Sequence, residues 1–236
     1  MRLAATALAT GVLGLVAVAG SLRVAAEATR VAATDPVGKL SGRVKVTEDD
    51  GKPASADVVV YVVGFTEKGG STIATIEQKG RKFNPDLVAI TAGDTVKFPN
   101  GDPFLHNVFS QSPPRKFDLG SYKLGESKSK EFEKPGVVDV YCNIHPEMAA
   151  TILVLPNRKH TRTDGQGRFA IADLPPGEWT VFAYTRRAAR PVSAKITIKA
   201  GTETTVDLTL ARGTEAAHLN KYGEKYKPGD GTTYPR

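Results

Sequence analysis

One short stretch of the sequence concentrates side chains that bind metal ions. Residues 142–148 read Cys-Asn-Ile-His-Pro-Glu-Met and lie between two predicted β-strands. An ion that cycles between Cu(I) and Cu(II) prefers a soft thiolate, imidazole nitrogens and, optionally, a weakly bound thioether. Cys142, His145 and Met148 supply one of each, and His106, at the end of a neighbouring predicted strand, is available as the second imidazole. The pattern therefore predicts a copper site.

The scarcity of these residue types strengthens the prediction. The chain has one Cys and two Met, one of which is residue 1, and His145 lies between Cys142 and Met148. The alternative is that Cys142 and Met148 fill a core and His145 lies on the surface, which is plausible for each residue alone. Zinc also binds thiolate and imidazole, but structural zinc sites usually use two or more Cys, or Cys and His in paired spacing, which favours copper here. His160 and His218 have no such neighbours and are expected on the surface.

Short β-strands must position these ligands. The 236-residue chain is 40% hydrophobic and rich in Gly (23) and Pro (15), and it lacks long apolar-periodic helical stretches after residue 35. This composition predicts an all-β protein with many turns. Strand patterns occur at residues 40–46, 56–63, 72–78, 87–91, 95–99, 107–109, 127–132, 136–141, 149–155, 195–199 and 204–210, and turns enter two further strands at residues 163–169 and 174–181. The dense set between residues 72 and 155 fits a β-sandwich.

Residues 83–155 resemble the plastocyanin and amicyanin branch of the cupredoxins, which are copper proteins built on a Greek-key β-sandwich. Residues 83–85 (Phe-Asn-Pro) and 92–98 resemble the strand that precedes the first ligand, and His106-Asn107-Val108 resembles the family's His-Asn pair. The Cys-x-x-His-x-x-Met spacing of residues 142–148, with Pro after the second His, is similar to the short ligand loop of amicyanin. The resemblance implies a cupredoxin domain over residues 67–157.

The resemblance also implies a role for each matching residue. Cys142 would provide the thiolate that dominates electronic coupling, His106 a buried imidazole, and Met148 a long axial bond that helps set the reduction potential. His145 would be the imidazole whose edge reaches the surface, where the electron leaves. Asn107 would tie the first ligand strand to the ligand loop near the Cys142 sulfur.

The segments on either side of this part resemble two pieces of one further domain. Residues 40–61 resemble the opening of a carboxypeptidase-regulatory-like (transthyretin-like) β-sandwich, and residues 163–210 resemble its remainder. We predict a smaller Ig/transthyretin-like sandwich split between residues 38–66 and 158–211, with the cupredoxin inserted at a loop. The alternative is that residues 38–66 add strands to the cupredoxin. Residues 212–236 lack apolar periodicity and are expected to be a disordered tail or to be draped over the surface.

The N-terminus has the pattern of an export signal. Arg2 precedes an apolar run over residues 3–19, followed by small residues, which predicts a secretory signal peptide over residues 1–26. The alternative is an uncleaved membrane anchor, because the apolar run is almost long enough to span a bilayer. Either interpretation predicts a periplasmic or secreted protein, with membrane contact only if the segment is an uncleaved anchor.

The charge distribution bears on the choice of partner. The formal net charge is +7, and its densest basic part contains Arg186, Arg187 and Arg190. Such a cluster suits an acidic redox protein or lipid headgroups, or it is a solvated face that keeps the protein soluble. Nucleic acid is not expected, since no binding module is recognisable. Glu147 departs from the amicyanin pattern, which puts an apolar docking patch around His145 in doubt and is expected to lower the copper potential.

These features predict an exported type 1 (blue) copper protein that carries single electrons between periplasmic or extracellular redox proteins. It would not be an enzyme, because one copper ion with all positions occupied leaves no place for a substrate. The alternatives are a copper-binding protein for trafficking, without an electron-transfer role, and a structural module that holds a metal for stability. The lack of Met-rich tracts favours electron transfer over trafficking.

Overall fold

The computed structural model describes residues 36–227 except for 49, 55–56, 71, 114, 189 and 215–216. All of the regular structure in these residues is β, so the predicted fold class is confirmed, and none of their elements is a helix that could cross a bilayer. The predicted signal peptide lies outside the described residues. The strands are β1 (Gly38–Glu48), β2 (Val59–Val63), β3 (Ile73–Thr75), β4 (Glu77–Gln78), β5 (Phe83–Asn84), β6 (Leu87–Thr91), β7 (Asp94–Pro99), β8 (His106–Ser110), β9 (Phe117–Tyr122), β10 (Ser127–Phe132), β11 (Gly136–Tyr141), β12 (Ala149–Leu155), β13 (His160–Arg162), β14 (Arg168–Leu174), β15 (Gly177–Tyr184), β16 (Val192–Ile198), β17 (Glu203–Thr205) and β18 (Leu208–Arg212).

The middle of the chain forms one β-sandwich, which we call the first sandwich. Its larger sheet has the order β6-β12-β11-β8-β9, and its smaller sheet has the order β10-β7-β3, with β4 and β5 paired beside them. The two sheets enclose an apolar core to which Phe98, Phe132, Val138 and Ile152 contribute. Strands β8 and β11 are antiparallel neighbours in the larger sheet, so the residues at their adjoining ends lie close together.

The two ends of the described chain form a second sandwich. Strand β1 pairs with β14, β17 and β18, and β2 pairs with β13 and β15, so these early strands bond to strands that follow residue 159. Its core is apolar and contains Leu40, Leu174 and Val181. The burial of β1 alternates in the way expected of a strand with one face on a core, because successive side chains point to opposite faces.

Strand β12 is buried along nearly its whole length because both of its faces are covered. Ile152 and Val154 point into the core of the first sandwich. Leu153 and Leu155 point the other way, into a separate apolar cluster that includes Tyr61 and Tyr184 of the second sandwich. This separate cluster joins the two sandwiches. It explains why residues 149–155 form a nearly continuous apolar run rather than an alternating one.

Two strands of more than two residues were not predicted. Strand β9 lies at the edge of its sheet, is only partly buried and contains Gly120, so its sequence shows no alternation. Strand β13 has only three residues, none of them buried. Both lack the hydrophobic pattern by which strands are predicted, because pairing with a neighbour rather than burial defines them.

Candidate metal centre

Three of the predicted ligands meet at one buried point. The Cys142 Sγ lies 3.8 Å from the His106 Nδ1 and 3.8 Å from the His145 Nδ1, and the two Nδ1 atoms are 3.1 Å apart. All three residues are at most 1% exposed. The structure thus brings together side chains from two stretches of sequence that are separated by more than thirty residues.

The geometry of this triangle fits a metal ion. Its centre lies about 2 Å from each of the three atoms, which is close to the length of metal–nitrogen and metal–sulfur bonds in proteins. One thiolate and two imidazoles, with a thioether nearby in sequence, form the donor set typical of copper sites that transfer electrons. The residues therefore fit copper, both in donor chemistry and in spacing.

The ends of two neighbouring strands create this arrangement. His106 is the first residue of β8, and Cys142 directly follows the last residue of β11. The loop back to β12 is closed by backbone hydrogen bonds, in which the Cys142 N–H donates to the Met148 carbonyl (3.2 Å) and the Met148 N–H donates to the His145 carbonyl (3.0 Å). This short bonded loop holds Cys142, His145 and Met148 in a fixed relation.

Met148 and Asn107, the other two predicted site residues, lie beside the three ligands. The Met148 side chain is 1% exposed and belongs to the same apolar cluster as Cys142. The Asn107 Oδ1 accepts a hydrogen bond from the Asn143 N–H (3.2 Å), and its Nδ2 donates to the Asp118 carboxylate (2.6 Å). Asn107 therefore connects β8 to the ligand loop one residue after Cys142.

Burial shifts the pKa of each of the three proposed ligands in the direction that favours its neutral form. It lowers the pKa of His106, although the neighbouring Asp102 acts in the opposite direction. It also lowers the pKa of His145, and the charge of a protonated His106 would lower it further. Burial raises the pKa of the Cys142 thiol, partly offset by backbone N–H groups of Asn107, His145 and Ile144. Neutral imidazoles are the form that binds metals, whereas the thiol must lose its proton on binding.

The structure corrects the expected exposure of His145. Its side chain does not reach the surface, since the residue is 1% exposed. The ring of Phe104 covers the two imidazoles, with centroid distances of 5.2 Å to His106 and 5.3 Å to His145. The Arg81 guanidinium lies over the Phe104 ring in turn, at 5.3 Å. Phe104 was not predicted, because nothing in its sequence position indicates where its ring packs.

The C-terminal segment is draped along the ligand loop rather than disordered over residues 217–227. His218 stacks on Tyr141 with ring centroids 3.8 Å apart, and its Nε2 is 2.8 Å from the Pro146 carbonyl. The Lys221 N–H donates to the Asn143 Oδ1 (3.0 Å), and the Tyr226 hydroxyl donates to the Cys142 carbonyl (3.4 Å). His218 is therefore half-buried against the loop, and not the isolated surface residue that was expected.

His160, the other histidine expected on the surface, is also half-buried. It lies in β13 opposite Tyr61 of β2, and burial lowers its pKa. Asp102 is a further residue at the site that the sequence did not reveal. Its carboxylate is hydrogen-bonded to His106, as described below.

Comparison with known proteins agrees with this site. Residues 71–155 match the family model of copper binding proteins of the plastocyanin/azurin family, and residues 145–211 match the model of the carboxypeptidase regulatory-like domain. A chloroplastic plastocyanin from Hordeum vulgare is 28% identical over 128 residues, covering 48% of this chain and 83% of the plastocyanin. A purple cupredoxin from Nitrosopumilus maritimus is 26% identical with a TM-score of 0.32, covering 35% of this chain and 99% of its own. A Cu(I) structure of a mutant amicyanin is 17% identical with a TM-score of 0.34, covering 41% of this chain and 98% of its own.

These matches confirm the predicted resemblance to both families and identify copper as the cofactor of the centre. The first match spans the strands and the loop that carry the three converging ligands. The second begins within that loop and continues through the strands that follow it. The chain thus contains one segment that matches the copper binding proteins of the plastocyanin/azurin family and another that matches the carboxypeptidase regulatory-like domain.

Proposed function

We propose that this protein binds one copper ion through His106, Cys142, His145 and Met148 and carries single electrons between redox partners. The observation that carries the proposal is the convergence of one sulfur and two nitrogen atoms at a buried point. Copper in such a site alternates between Cu(I) and Cu(II), and so it accepts and releases one electron.

The surroundings of the ligands suit an electron carrier because they resist movement. A site that keeps its geometry in both oxidation states transfers electrons with little reorganisation, and side chains locked by packing and hydrogen bonds supply that rigidity. His106 is held by Asp102, and Cys142 lies in a loop closed by backbone hydrogen bonds. Phe104 limits the access of water to both imidazoles.

We also propose that the protein is not an enzyme. With four ligands from the chain, no coordination position is left for a substrate. The burial of His106 and His145 supports this, because a substrate would have to displace Phe104 to reach them. The same burial disfavours a trafficking role, for which a metal needs ready access to a recipient protein.

We propose a split arrangement of domains, which the strand pairing supports. Residues 38–66 and 158–211 would form one sandwich into which the copper domain, residues 67–157, is inserted. The pairing of β1 with β14 and of β2 with β15 favours this over the addition of residues 38–66 to the copper domain. Export to the periplasm or the cell exterior, with redox proteins as partners there, completes the proposal.

We propose an acidic partner, although the positive charge of the basic cluster (Arg186, Arg187 and Arg190) is partly neutralised by nearby carboxylates. Arg186 forms an ion pair with Asp86 (3.3 Å), and Arg212 forms one with Glu48. These pairs reduce the positive potential near β15. The cluster is therefore a weaker docking surface than three arginines without acidic neighbours would be.

The test is to load the purified protein with Cu(II) and to record its visible and electron paramagnetic resonance spectra. We expect an intense blue band and narrow copper hyperfine splitting, followed by fast reduction in stopped-flow experiments and fast self-exchange. A colourless Cu(II) complex would contradict the proposed ligand set. Slow self-exchange, with release of copper to a chelator on reduction, would instead support trafficking.

A further inference from the structure

A buried carboxylate is hydrogen-bonded to one of the proposed copper ligands. The Asp102 Oδ2 lies 2.8 Å from the His106 Nε2, the ring nitrogen that faces away from Cys142. The side chains of His106 and Asp102 are 0% and 8% exposed. The contact is therefore shielded from water, where a charge-assisted hydrogen bond is strong.

The fold holds the Asp102 carboxylate in place from several directions. The Oδ1 accepts a hydrogen bond from the Gly80 N–H (2.8 Å), and the Oδ2 accepts one from the Arg81 N–H (3.0 Å). Gly80 and Arg81 both have positive φ (64° and 56°), as in the two-residue turns that join tight hairpins, and here the turn links β4 to β5. The Asp102 N–H donates to the Asn100 Oδ1 (2.8 Å). The carboxylate is thus fixed before any ligand or metal contacts it.

This arrangement determines which nitrogen of His106 carries the proton. The backbone N–H groups of Gly80 and Arg81 both donate to the Asp102 carboxylate, and donors of this kind favour its ionised form. An ionised carboxylate can only accept a hydrogen bond, so the proton of the neutral imidazole belongs on Nε2. The lone pair is then on Nδ1, which is the atom that faces Cys142 and His145.

The two imidazoles differ in whether a carboxylate contacts the ring. Within the part of the chain that the structure describes, the hydrogen-bond contacts of the His145 ring are only with the Cys142 Sγ and the His106 Nδ1. His145 has the ring of Phe104 beside it, whereas His106 has Phe104 and a carboxylate. The negative charge of Asp102 therefore acts directly on His106 and not on His145.

We propose that Asp102 is a positioning residue of the copper centre, which fixes the tautomer and orientation of His106 and, by strengthening it as a donor, stabilises Cu(II) relative to Cu(I). Carboxylates that accept from the outer N–H of a ligating histidine act in this way, and their loss typically lowers metal affinity by about 10- to 100-fold. This inference depends on the copper-binding function proposed above. It predicts a lower reduction potential than the four ligands alone would give.

The experiment compares Asp102→Asn with Asp94→Asn in the copper-loaded protein. Asp94 is a matched control, because it is also buried and accepts hydrogen bonds from three backbone N–H groups (Gly70, Thr72 and Thr91) but contacts none of the proposed ligands. We expect Asp102→Asn to shift the ratio of Cu(I) to Cu(II) affinity about tenfold toward Cu(I), which raises the potential by about 59 mV for a one-electron couple. Asp94→Asn should leave the potential unchanged.

A second measurement uses the unaltered protein, so it does not depend on the folding of a variant. Long-range proton–nitrogen NMR of the Cu(I) form should show a proton on the His106 Nε2 that exchanges slowly with solvent. An unprotonated Nε2, or equal potentials for Asp102→Asn and the unaltered protein, would overturn the inference. Absence of the blue band in the unaltered protein would instead overturn the proposed function itself, so the two failures can be told apart.

Discussion

The two sandwiches bury polar groups to very different extents. Of the twelve buried polar or charged residues in the described part of the chain, eleven lie from Gln78 to Asn157, and the twelfth, Thr185, directly follows β15. Among the described residues, none of the buried polar or charged side chains lies in a strand of the second sandwich. Buried polar groups destabilise a fold unless they are hydrogen-bonded, so they are expected mainly where they have a structural or functional role. The first sandwich is built around a site, and the second is built for packing.

This difference predicts that function and stability can be separated by mutation. Changes at the polar end of the first sandwich should alter the copper centre, whereas changes in the second core should alter only the free energy of unfolding.

Substitution of Cys142 with Ser should abolish the blue absorption band. Serine keeps the size of the side chain but removes the thiolate, which is the donor responsible for the intense colour of copper–thiolate sites. The visible spectrum of the Cu(II)-loaded variant is the measurement. A control is Ser110→Ala, which alters a buried hydroxyl in β8 that contacts none of the ligands and should leave the band in place. Retention of the band in Cys142→Ser would rule out this thiolate as its source.

Substitution of Leu40 with Ala should lower the free energy of unfolding by about 2–5 kcal/mol, because it leaves a cavity in the core of the second sandwich. The visible spectrum of the folded, copper-loaded variant should not change. Chemical denaturation monitored by tryptophan fluorescence gives the stability. Lys45→Ala, in the same strand but exposed, is the control and should change stability by no more than about 0.5 kcal/mol. A changed copper spectrum in Leu40→Ala would show that the sandwiches are not separable.

Acid should destabilise the first sandwich through Asp94. Burial raises the pKa of this carboxyl, but hydrogen bonds from Thr91, Gly70 and Thr72 outweigh it and leave the pKa below its usual value. The ionised carboxylate therefore stabilises the folded state above the pKa of the unfolded chain, about 3.9, and this contribution is lost as the pH falls through the lower pKa of the folded state.

Asp94→Asn tests this expectation. The variant should be less stable at neutral pH by about 1–3 kcal/mol, since it loses hydrogen bonds to a charged group. Its stability should also fall less steeply between pH 4 and pH 2 than that of the unaltered protein. Denaturation midpoints measured across this range give the answer, and parallel curves for the two proteins would exclude Asp94 as a source of the acid sensitivity.

Substitution of Glu147 with Gln should have the smallest effect. Glu147 is in the ligand loop but is exposed, so water and salt screen its charge. We expect the reduction potential of Glu147→Gln to rise by less than that of Asp102→Asn. The shift caused by Glu147→Gln should become smaller at high ionic strength. Voltammetry at low and high salt is the measurement. A larger shift than that of Asp102→Asn would mean that the overall charge near the loop, and not the hydrogen bond to His106, sets the potential.

The sequence predicted the ligands well because their types are rare. The chain has a single Cys, and Met148 follows it six residues later with His145 between them, a pattern that has few interpretations. The apolar run that forms β12 directly follows this pattern. The pattern of strands was likewise predictable wherever one face of a strand meets a core. Edge strand β9 and the short β13 were not predicted because few of their side chains are buried, so their sequences lack an alternating hydrophobic pattern.

The surroundings of the ligands could not be predicted, because they depend on contacts between distant parts of the chain. Asp102 contacts His106 only because a hairpin turn at Gly80 and Arg81 holds its carboxylate. Phe104 covers His145 through side-chain packing that no spacing rule describes. The position of His218 on Tyr141 joins residues 77 positions apart, in a segment without apolar periodicity.

The two-sided burial of β12 limits how far the copper domain can be treated as an independent unit. Leu153 and Leu155 are 2% exposed only because the second sandwich covers them, and Leu87 in β6 shares that cover. If residues 67–157 were produced alone, this sheet face would present a contiguous hydrophobic surface to water, and molecules would be expected to self-associate through it. A relative that consists of a copper domain only would need hydrophilic side chains at these positions.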